Sequence, residues 1–182
     1  MRSCDDAEPI STAADWEDLV LDAETRRAVD DIVTWQKHRS ALEHAPKHEP
    51  GLKRGLAVLF YGSPGSAKVL AAKLIAQACG RQARRVDLAA LVSKYIGETE
   101  KNLGRIFDRA AEENWILFFD EADALFGRRD ERAANQQIAY LLQRIEDYPG
   151  VVILSTNLRA HLDEAYARRF QSVIRFGVPD VS

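Results

Sequence analysis

The chain has 182 residues, which is enough for one substantial domain with a sizeable core, or for such a domain with an appendage. Its residues are 46% hydrophobic and 29% charged, as in an ordinary globular protein, and the net charge of −3 disfavours broad nucleic-acid binding. No apolar run approaches the roughly 20 residues of a transmembrane helix, and the acidic start does not resemble a signal peptide. Because the two cysteines form no disulfide pattern, we expect a cytoplasmic protein without a membrane partner.

The first part of the chain is predicted to lie outside the main domain. Residues 1–14 carry few large apolar groups and are expected to be disordered. Residues 15–50 form a predicted N-terminal helical extension and linker, because apolar side chains recur at helical spacing from Ala28 to Leu42. Two prolines and a glycine between residues 43 and 51 break this helix, and we place the main domain boundary there.

Residues 51–182 alternate between segments of strand length and segments with helical periodicity. Strands are predicted at residues 56–61, 84–87, 115–119, 150–155 and 172–176. The intervening helices are predicted at residues 68–79, 98–113 and 131–146. Several strands are apolar throughout, as strands buried on both faces of a parallel sheet are. This alternation predicts an α/β fold with a doubly wound, five-stranded parallel sheet.

The turn between the first strand and the first helix of this domain has the pattern of a phosphate-binding loop. It consists of Gly62, Ser63, Pro64, Gly65, Ser66, Ala67, Lys68 and Val69. In the full pattern, G-x-x-x-x-G-K-[ST], backbone N–H groups surround the phosphates, the lysine reaches their oxygens, and the hydroxyl ligates Mg²⁺. The alternative is a glycine turn that joins a strand to a helix and carries a solvated lysine.

This loop departs from the full pattern at two positions. Val69 has no hydroxyl, so a direct side-chain ligand to Mg²⁺ is missing and metal binding is expected to weaken. Ala67 replaces the second glycine, and a left-handed backbone there would cost roughly 1–2 kcal/mol. Phosphate binding through Lys68 and the backbone is less affected than hydrolysis, which depends on the placement of the metal.

An apolar strand about fifty residues after Lys68 ends in two adjacent acids, Asp120 and Glu121. Ligands of parallel α/β sheets bind at the carboxyl ends of the strands, so both acids are expected beside the phosphate loop. There Asp120 would hold Mg²⁺ through water, and Glu121 would orient and deprotonate the attacking water. The alternative is that the two acids simply cap the next helix.

With these motifs in place, the chain resembles the AAA+ ATPases, specifically the AAA branch that includes katanin, spastin and the membrane-bound bacterial proteases. The resemblance runs from about residue 55 to residue 176. Residues 118–123, Phe-Phe-Asp-Glu-Ala-Asp, match the family's Walker B segment, and residues 62–69 correspond to a degenerate Walker A motif. Asn157 ends the third strand at the position of the family's sensor-1 residue, which contacts the attacking water or the γ phosphate.

Two further segments carry roles that only the resemblance implies. Residues 163–170 resemble the arginine-finger segment, in which Arg168 or Arg169 would reach a neighbouring subunit's nucleotide. Without the resemblance they read as an exposed basic pair. Tyr95 and Ile96 resemble the pore-loop pair that grips an extended polypeptide in the centre of a ring, whereas Tyr95 taken alone reads as a core or capping aromatic.

The resemblance therefore implies a P-loop NTPase fold, a three-layer αβα sandwich that binds ATP or ADP with Mg²⁺. It implies a hexameric ring and a protein substrate, and it places the family's C-terminal helical lid outside these residues. The acidic charge balance, not the resemblance, argues against a nucleic-acid partner. Three functions compete: an ATPase that remodels or threads proteins, a degenerate nucleotide-binding or nucleotide-free scaffold, and a nucleic-acid loader or helicase. Val69 and Ala67 favour the second function, whereas the intact Asp120, Glu121 and Asn157 favour the first.

Overall fold

The computed structural model describes residues 6–42, 55–65, 67–94, 97–127, 132–157 and 164–177. In chain order its elements are β1 (Ala7–Pro9), α1 (Ala23–Leu42), β2 (Leu56–Gly62), α2 (Ala67–Ala78), β3 (Ala83–Asp87), α3 (Leu88–Lys94), α4 (Thr99–Glu113), β4 (Ile116–Asp120), α5 (Asp123–Phe126), α6 (Arg132–Asp147), β5 (Val151–Thr156), α7 (Glu164–Ala167) and β6 (Ser172–Phe176). Within the described residues, six strands form one sheet in the order β1-β3-β4-β5-β2-β6.

The five strands from β2 to β6 are parallel to one another, as the sequence predicts. Strand β2 lies between β5 and β6, and β4 lies between β3 and β5. The residues at the carboxyl ends of these strands therefore share one edge of the sheet, where ligands of such sheets bind. The predicted αβα sandwich is confirmed, and its sheet has one strand more than expected.

The additional strand comes from the segment expected to be a disordered tail, residues 1–14. Ala7 of β1 pairs antiparallel with Val86 of β3. The side chain of Arg84 also donates a hydrogen bond to the Ala7 carbonyl, at 3.2 Å. Residues with few large apolar groups are ordered here because the edge of the sheet offers unpaired backbone groups. A count of apolar residues does not detect this contribution.

Successive side chains of each strand point to opposite faces of the sheet, and helices bury both faces. One face, with Leu59 and Phe119, packs under α3, α4, α5 and α6. The opposite face, with Phe60 and Phe118, packs under α1 and α2. All four of these side chains are fully buried. The apolar runs of β2 and β4 follow from this two-sided burial.

Helix α1, the predicted N-terminal extension, packs directly on this core. Val29 and Ile32 are buried in the same cluster as Phe60. The hydroxyl of Thr25 donates to the carbonyl of Arg175 on β6, at 3.1 Å. The extension therefore forms one wall of the domain. The linker and boundary predicted between residues 43 and 51 lie outside the described residues.

Candidate nucleotide-binding site

The phosphate loop begins where β2 ends, at Gly62, and the geometry there requires a glycine. Gly62 has a φ of 145°, and a Cβ atom at this position would lie 1.9 Å from the carbonyl oxygen of Phe176. The close approach arises because Gly62 is in register with Phe176 on the adjacent parallel strand. Strand β6 therefore constrains the first residue of the loop.

Ala67, which stands in place of the motif's second glycine, is the first residue of α2. Among the described residues, only Asn114 and Glu121 have a positive φ without being glycine. The left-handed strain considered for Ala67 therefore does not arise. Ser63, Pro64 and Gly65 are exposed, and Ser66 lies outside the described residues.

Lys68 lies in the first turn of α2 and is 3% exposed. Its ammonium group donates to the carbonyls of Gly62 at 3.0 Å, Ser63 at 3.4 Å and Thr156 at 3.4 Å, and to Oδ1 of Asn157 at 2.9 Å. Burial lowers the pKa of Lys68, and the carboxylates of nearby acids partly offset this. The charge is held by oxygen atoms of the loop and of the end of β5, and the structure thus brings Lys68 and Asn157 together.

Asp120 ends β4 at the same edge of the sheet, with a side chain that is 16% exposed. Its Oδ2 accepts a hydrogen bond from Nε of Arg85 at 3.0 Å and lies 2.8 Å from Nη2 of the same ion-paired guanidinium. Its Oδ1 accepts the backbone N–H of Glu121 at 2.9 Å. Both oxygens of this carboxylate therefore already have partners within the chain.

Glu121 follows in a left-handed backbone conformation, with a φ of 58°. Such a conformation is rare for a non-glycine residue and costs on the order of 1–3 kcal/mol. Burial raises the pKa of Glu121, and the carboxylates of Asp120, Asp87 and Asp123 raise it further, whereas Arg85 lowers it. A carboxylate with a raised pKa is a better proton acceptor, which suits the role predicted for Glu121.

Asp123 is a site residue to which the sequence assigned no role. Its Oδ1 accepts the hydroxyl hydrogen of Thr156, and its Oδ2 accepts the backbone N–H of Asn157 at 3.1 Å. These contacts join the end of β5 to the turn that follows β4. The only sequence signal was the position of Asp123 within the segment that resembles Walker B.

Arg85 is a second residue that the sequence analysis missed. It lies on β3, two residues before Asp87, and Asp87 is in register with Asp120. Side chains two residues apart on a strand share a face, so Arg85 extends along β3 toward the edge where Asp120 lies. Nothing in the sequence around Arg85 indicates that it pairs with Asp120, because this pairing depends on the register of β3 and β4.

The two predicted arginine-finger residues lie between α7 and β6, and both are exposed. Arg169 forms an ion pair with Glu146 of α6, with Nη1 and Oε1 separated by 3.6 Å. The ring of Tyr166, on α7, packs edge-on against Phe126 at 5.5 Å between centroids. This contact fixes the short helix that precedes the arginines. The predicted pore-loop pair, Tyr95 and Ile96, lies outside the described residues.

A cleft of about 1060 Å³ opens beside the phosphate loop. Its walls come from the start of α1, the loop and β6, and include Thr25, Ala28, Ser63, Pro64 and Arg175. This volume slightly exceeds the roughly 300–1,000 Å³ that is typical of small-molecule sites. The cleft borders the start of the phosphate loop and reaches Asn157, the residue that contacts Lys68.

The resemblance also implies Mg²⁺, and the residues around Asp120 do not fit it as they are arranged. Val69 packs with the apolar cluster under α1 and α2 and has no ligand atom to offer. Both oxygens of Asp120 are engaged by Arg85 and by the N–H of Glu121. Among the described residues, no group of three or more Asp, Glu, His or Cys side chains could hold a metal ion.

Comparison with known sequences gives a consistent picture. A sequence model described as "ATPase family associated with various cellular activities (AAA)" matches residues 58–178. An uncharacterized AAA family ATPase, y4kL, from Sinorhizobium fredii is 33% identical over 91% of this chain and 50% of its own length. Cell division protein C from Sulfolobus acidocaldarius is 34% identical over 91% of this chain and 50% of its own. The chain thus spans half the length of these two relatives.

Solved structures show the same fold. The FIGL-1 AAA domain in complex with ADP has a TM-score of 0.73 and 24% sequence identity, and the match covers 96% of this chain and 59% of that domain chain. The FIGL-1 AAA domain in a second crystal structure gives a TM-score of 0.72. A search of the helices in the described residues finds none with the length and apolar character to cross a membrane.

Proposed function

The chain belongs to the AAA family of ATPases, and from this premise we propose that it is the ATP-binding core of a ring-forming ATPase acting on a protein substrate. The observation that carries the proposal is the position of the Lys68 ammonium, between the phosphate loop and Oδ1 of Asn157 at 2.9 Å. A lysine at the start of a helix, with a polar amide from the end of a strand beside it, suits the β and γ phosphates of a nucleotide.

Nucleotide binding would use the loop for the phosphates and the cleft beside it for the nucleoside. The backbone N–H groups at the start of α2 and the charge of Lys68 would hold the phosphates. The cleft between α1 and β6 has the size needed for the remainder. The ADP in the structure of the FIGL-1 AAA domain supports this class of ligand for the chain.

Hydrolysis would use Glu121 as the base. Its carboxylate would accept the proton of a water that attacks the γ phosphorus while the bond from that phosphorus to the bridging β-phosphate oxygen breaks and ADP leaves. The raised pKa of Glu121 favours this proton transfer. Asn157 would hold the γ phosphate or the water, in a position set by Asp123. Arg168 or Arg169 would stabilise the transition state of a neighbouring subunit's nucleotide.

The ring and its substrate are the parts of the proposal that rest on family membership. In a hexamer of this chain, Tyr95 and Ile96 would contact an extended polypeptide, and the site of action would be the cytoplasm. Exposure of both predicted finger residues is compatible with contact to a second subunit.

A second candidate function is a nucleotide-binding subunit with little or no hydrolysis. Val69 and the pairing of Asp120 with Arg85 favour it, because both remove ligands from the metal that normally assists phosphoryl transfer. The backbone at Ala67 is not in the left-handed conformation, so backbone strain at this residue does not support this candidate. The two candidates share nucleotide binding and differ in turnover.

The first experiment is calorimetric titration of the chain with ADP and with a non-hydrolysable ATP analogue. Lys68→Ala is expected to weaken binding at least about tenfold, since it removes the cation at the phosphates. Lys73→Ala, the same change further along α2, is the control and should bind as the wild type does. Equal affinities for wild type and Lys68→Ala, or no binding by either, would refute the proposal.

A second experiment separates the two candidates by measuring phosphate release from ATP. Glu121→Gln is expected to lower turnover about a hundredfold or more while binding persists. Glu112→Gln makes the same chemical change on the exposed face of α4 and serves as the control. Wild-type turnover no higher than that of Glu121→Gln, with nucleotide bound, would select the second candidate.

A further inference from the structure

The ion pair between Arg85 and Asp120 stands where the family would be expected to place a divalent cation. Two nitrogens of Arg85 contact the same oxygen of Asp120, at 3.0 Å from Nε and 2.8 Å from Nη2. The side chains are 38% exposed for Arg85 and 16% exposed for Asp120. A guanidinium with two nitrogens on one carboxylate is held in one orientation, whereas the ammonium of a lysine could rotate about its single contact.

The surrounding charges explain why a cation is held there. Asp87, Asp120 and Asp123 all raise the pKa of Glu121 by their charge, and Arg85 is the group that lowers it. Lys68 is also attracted by Asp120, Glu121 and Asp123. The edge of the sheet thus concentrates carboxylates, and a positive charge at Arg85 reduces their mutual repulsion.

Position 69 offers no alternative metal ligand. Val69 presents only methyl groups and packs with the apolar cluster under α1 and α2. A magnesium ion at this edge would compete with Arg85 for Asp120 and would gain no hydroxyl ligand from α2. Mg²⁺ requires near-octahedral oxygen coordination and dehydrates reluctantly, so a site with one contested carboxylate and no hydroxyl is a poor one.

We propose that Arg85 acts as a built-in counter-cation that keeps Asp120 from a divalent metal, so that this chain binds nucleotide without Mg²⁺. The proposal rests on the nucleotide binding proposed above, which both candidate functions share, and it favours the candidate with little or no hydrolysis, because the metal normally assists phosphoryl transfer. Arg85 would be a positioning residue: it fixes Asp120 and supplies positive charge beside the phosphate loop.

The test is calorimetric titration of the full chain with ADP, once with millimolar MgCl₂ and once with EDTA. Wild type is expected to bind equally in both, within about twofold. Val69→Thr restores the hydroxyl but leaves Arg85 on Asp120, so its two affinities should also agree. In Val69→Thr with Arg85→Ala both ligands are available, and Mg²⁺ should tighten binding by about tenfold or more.

Arg84→Ala combined with Val69→Thr is the matched control. Arg84 is the neighbouring residue on β3 and points to the other face, where its guanidinium lies 4.4 Å from the centre of the Trp115 ring. Removing it deletes the same charge without freeing Asp120, so this variant should remain insensitive to Mg²⁺. Circular dichroism and thermal unfolding confirm that each variant is folded.

The wild-type titration can refute the proposal even if a variant fails to fold. Wild-type binding that tightens tenfold with Mg²⁺ would overturn the role of Arg85 and leave the proposed function intact. A full Mg²⁺ response in Val69→Thr alone would overturn it as well, because the missing hydroxyl would then be the whole cause. Absence of ADP binding in both buffers would refute the proposed function and this inference with it.

Discussion

The ammonium nitrogen of Lys68 lies 2.9 Å from Oδ1 of Asn157, although the two residues are 89 positions apart in the chain. On its backbone side, Asn157 is held by Asp123, whose Oδ2 accepts its N–H at 3.1 Å. Asp123 begins α5, just after the turn at Glu121. These two hydrogen bonds connect the phosphate loop, the end of β5 and the turn after β4, so a change in one of these segments is expected to affect the others.

Asn157→Ala is expected to lower turnover more than affinity. The amide oxygen that holds Lys68 is lost, and so is the group proposed to contact the γ phosphate or the water, which predicts a fall in phosphate release of about 10- to 100-fold. Affinity for ADP should change only a few-fold, because ADP has no γ phosphate. Steady-state phosphate release and calorimetry measure the two effects. Asn135→Ala, on the exposed face of α6, is the control, and equal turnover in both variants would contradict the prediction.

Asp123→Ala is expected to destabilise the domain and to weaken nucleotide binding together. It removes the carboxylate that accepts from the hydroxyl of Thr156 and from the N–H of Asn157, at a cost of about 2 kcal/mol in the free energy of unfolding. Urea denaturation measures this change. Asp123→Asn keeps one acceptor oxygen and should lose less. If the free energy of unfolding of Asp123→Ala equalled that of the wild type, these two hydrogen bonds would contribute nothing to stability.

Gly62→Ala and Gly65→Ala form a matched pair within one loop. The Cβ of Gly62→Ala would meet the carbonyl oxygen of Phe176 at 1.9 Å, at a backbone φ of 145°, so we expect a loss of at least about 2 kcal/mol in unfolding free energy. A Cβ at Gly65 meets nothing within 4 Å, so its replacement should change stability by no more than about 0.5 kcal/mol. Chemical denaturation compares the two, and similar losses would contradict the structural assignment.

The start of α1 is predicted to make stability depend on pH in the acid range. The backbone N–H of Thr25 donates to Oδ1 of Asp22 at 2.7 Å, and this hydrogen bond lowers the pKa of that carboxyl. A folded-state pKa below the unfolded value gives stability above the unfolded pKa, which is lost as pH falls through the folded pKa. The stability difference between wild type and Asp22→Ala should therefore shrink below roughly pH 4.

Unfolding curves recorded between acid and neutral pH test this prediction. Asp31→Ala removes an exposed carboxylate from the same helix and is the control. A difference between wild type and Asp22→Ala that stays constant down to the lowest pH would show that the ionised carboxylate does not cap the helix.

The elements of the fold were predictable because their signals are local. The continuous apolar run before Gly62 predicted β2, and the alternation of such runs with helical segments predicted the parallel sheet. Strand β1 escaped detection, because Ala7–Pro9 is ordered by backbone pairing to Val86 and its neighbours, which no property of those three residues reveals. Gly62 is a similar case. The requirement for glycine at this position comes from the backbone of Phe176, which lies 114 residues further along the chain.

The sequence alone predicted three parts of the site: the residue types of the phosphate loop, the acids at the end of β4 and the polar end of β5. Each is a short run of residues next to a strand or helix. Which of these groups contact one another was decided by the tertiary structure. Arg85 gave no local signal, and its position on Asp120 depends on the parallel register of β3 and β4, in which Asp87 lies opposite Asp120. Contacts of this kind join segments that are far apart in the chain, and these segments come close together only when the sheet has assembled.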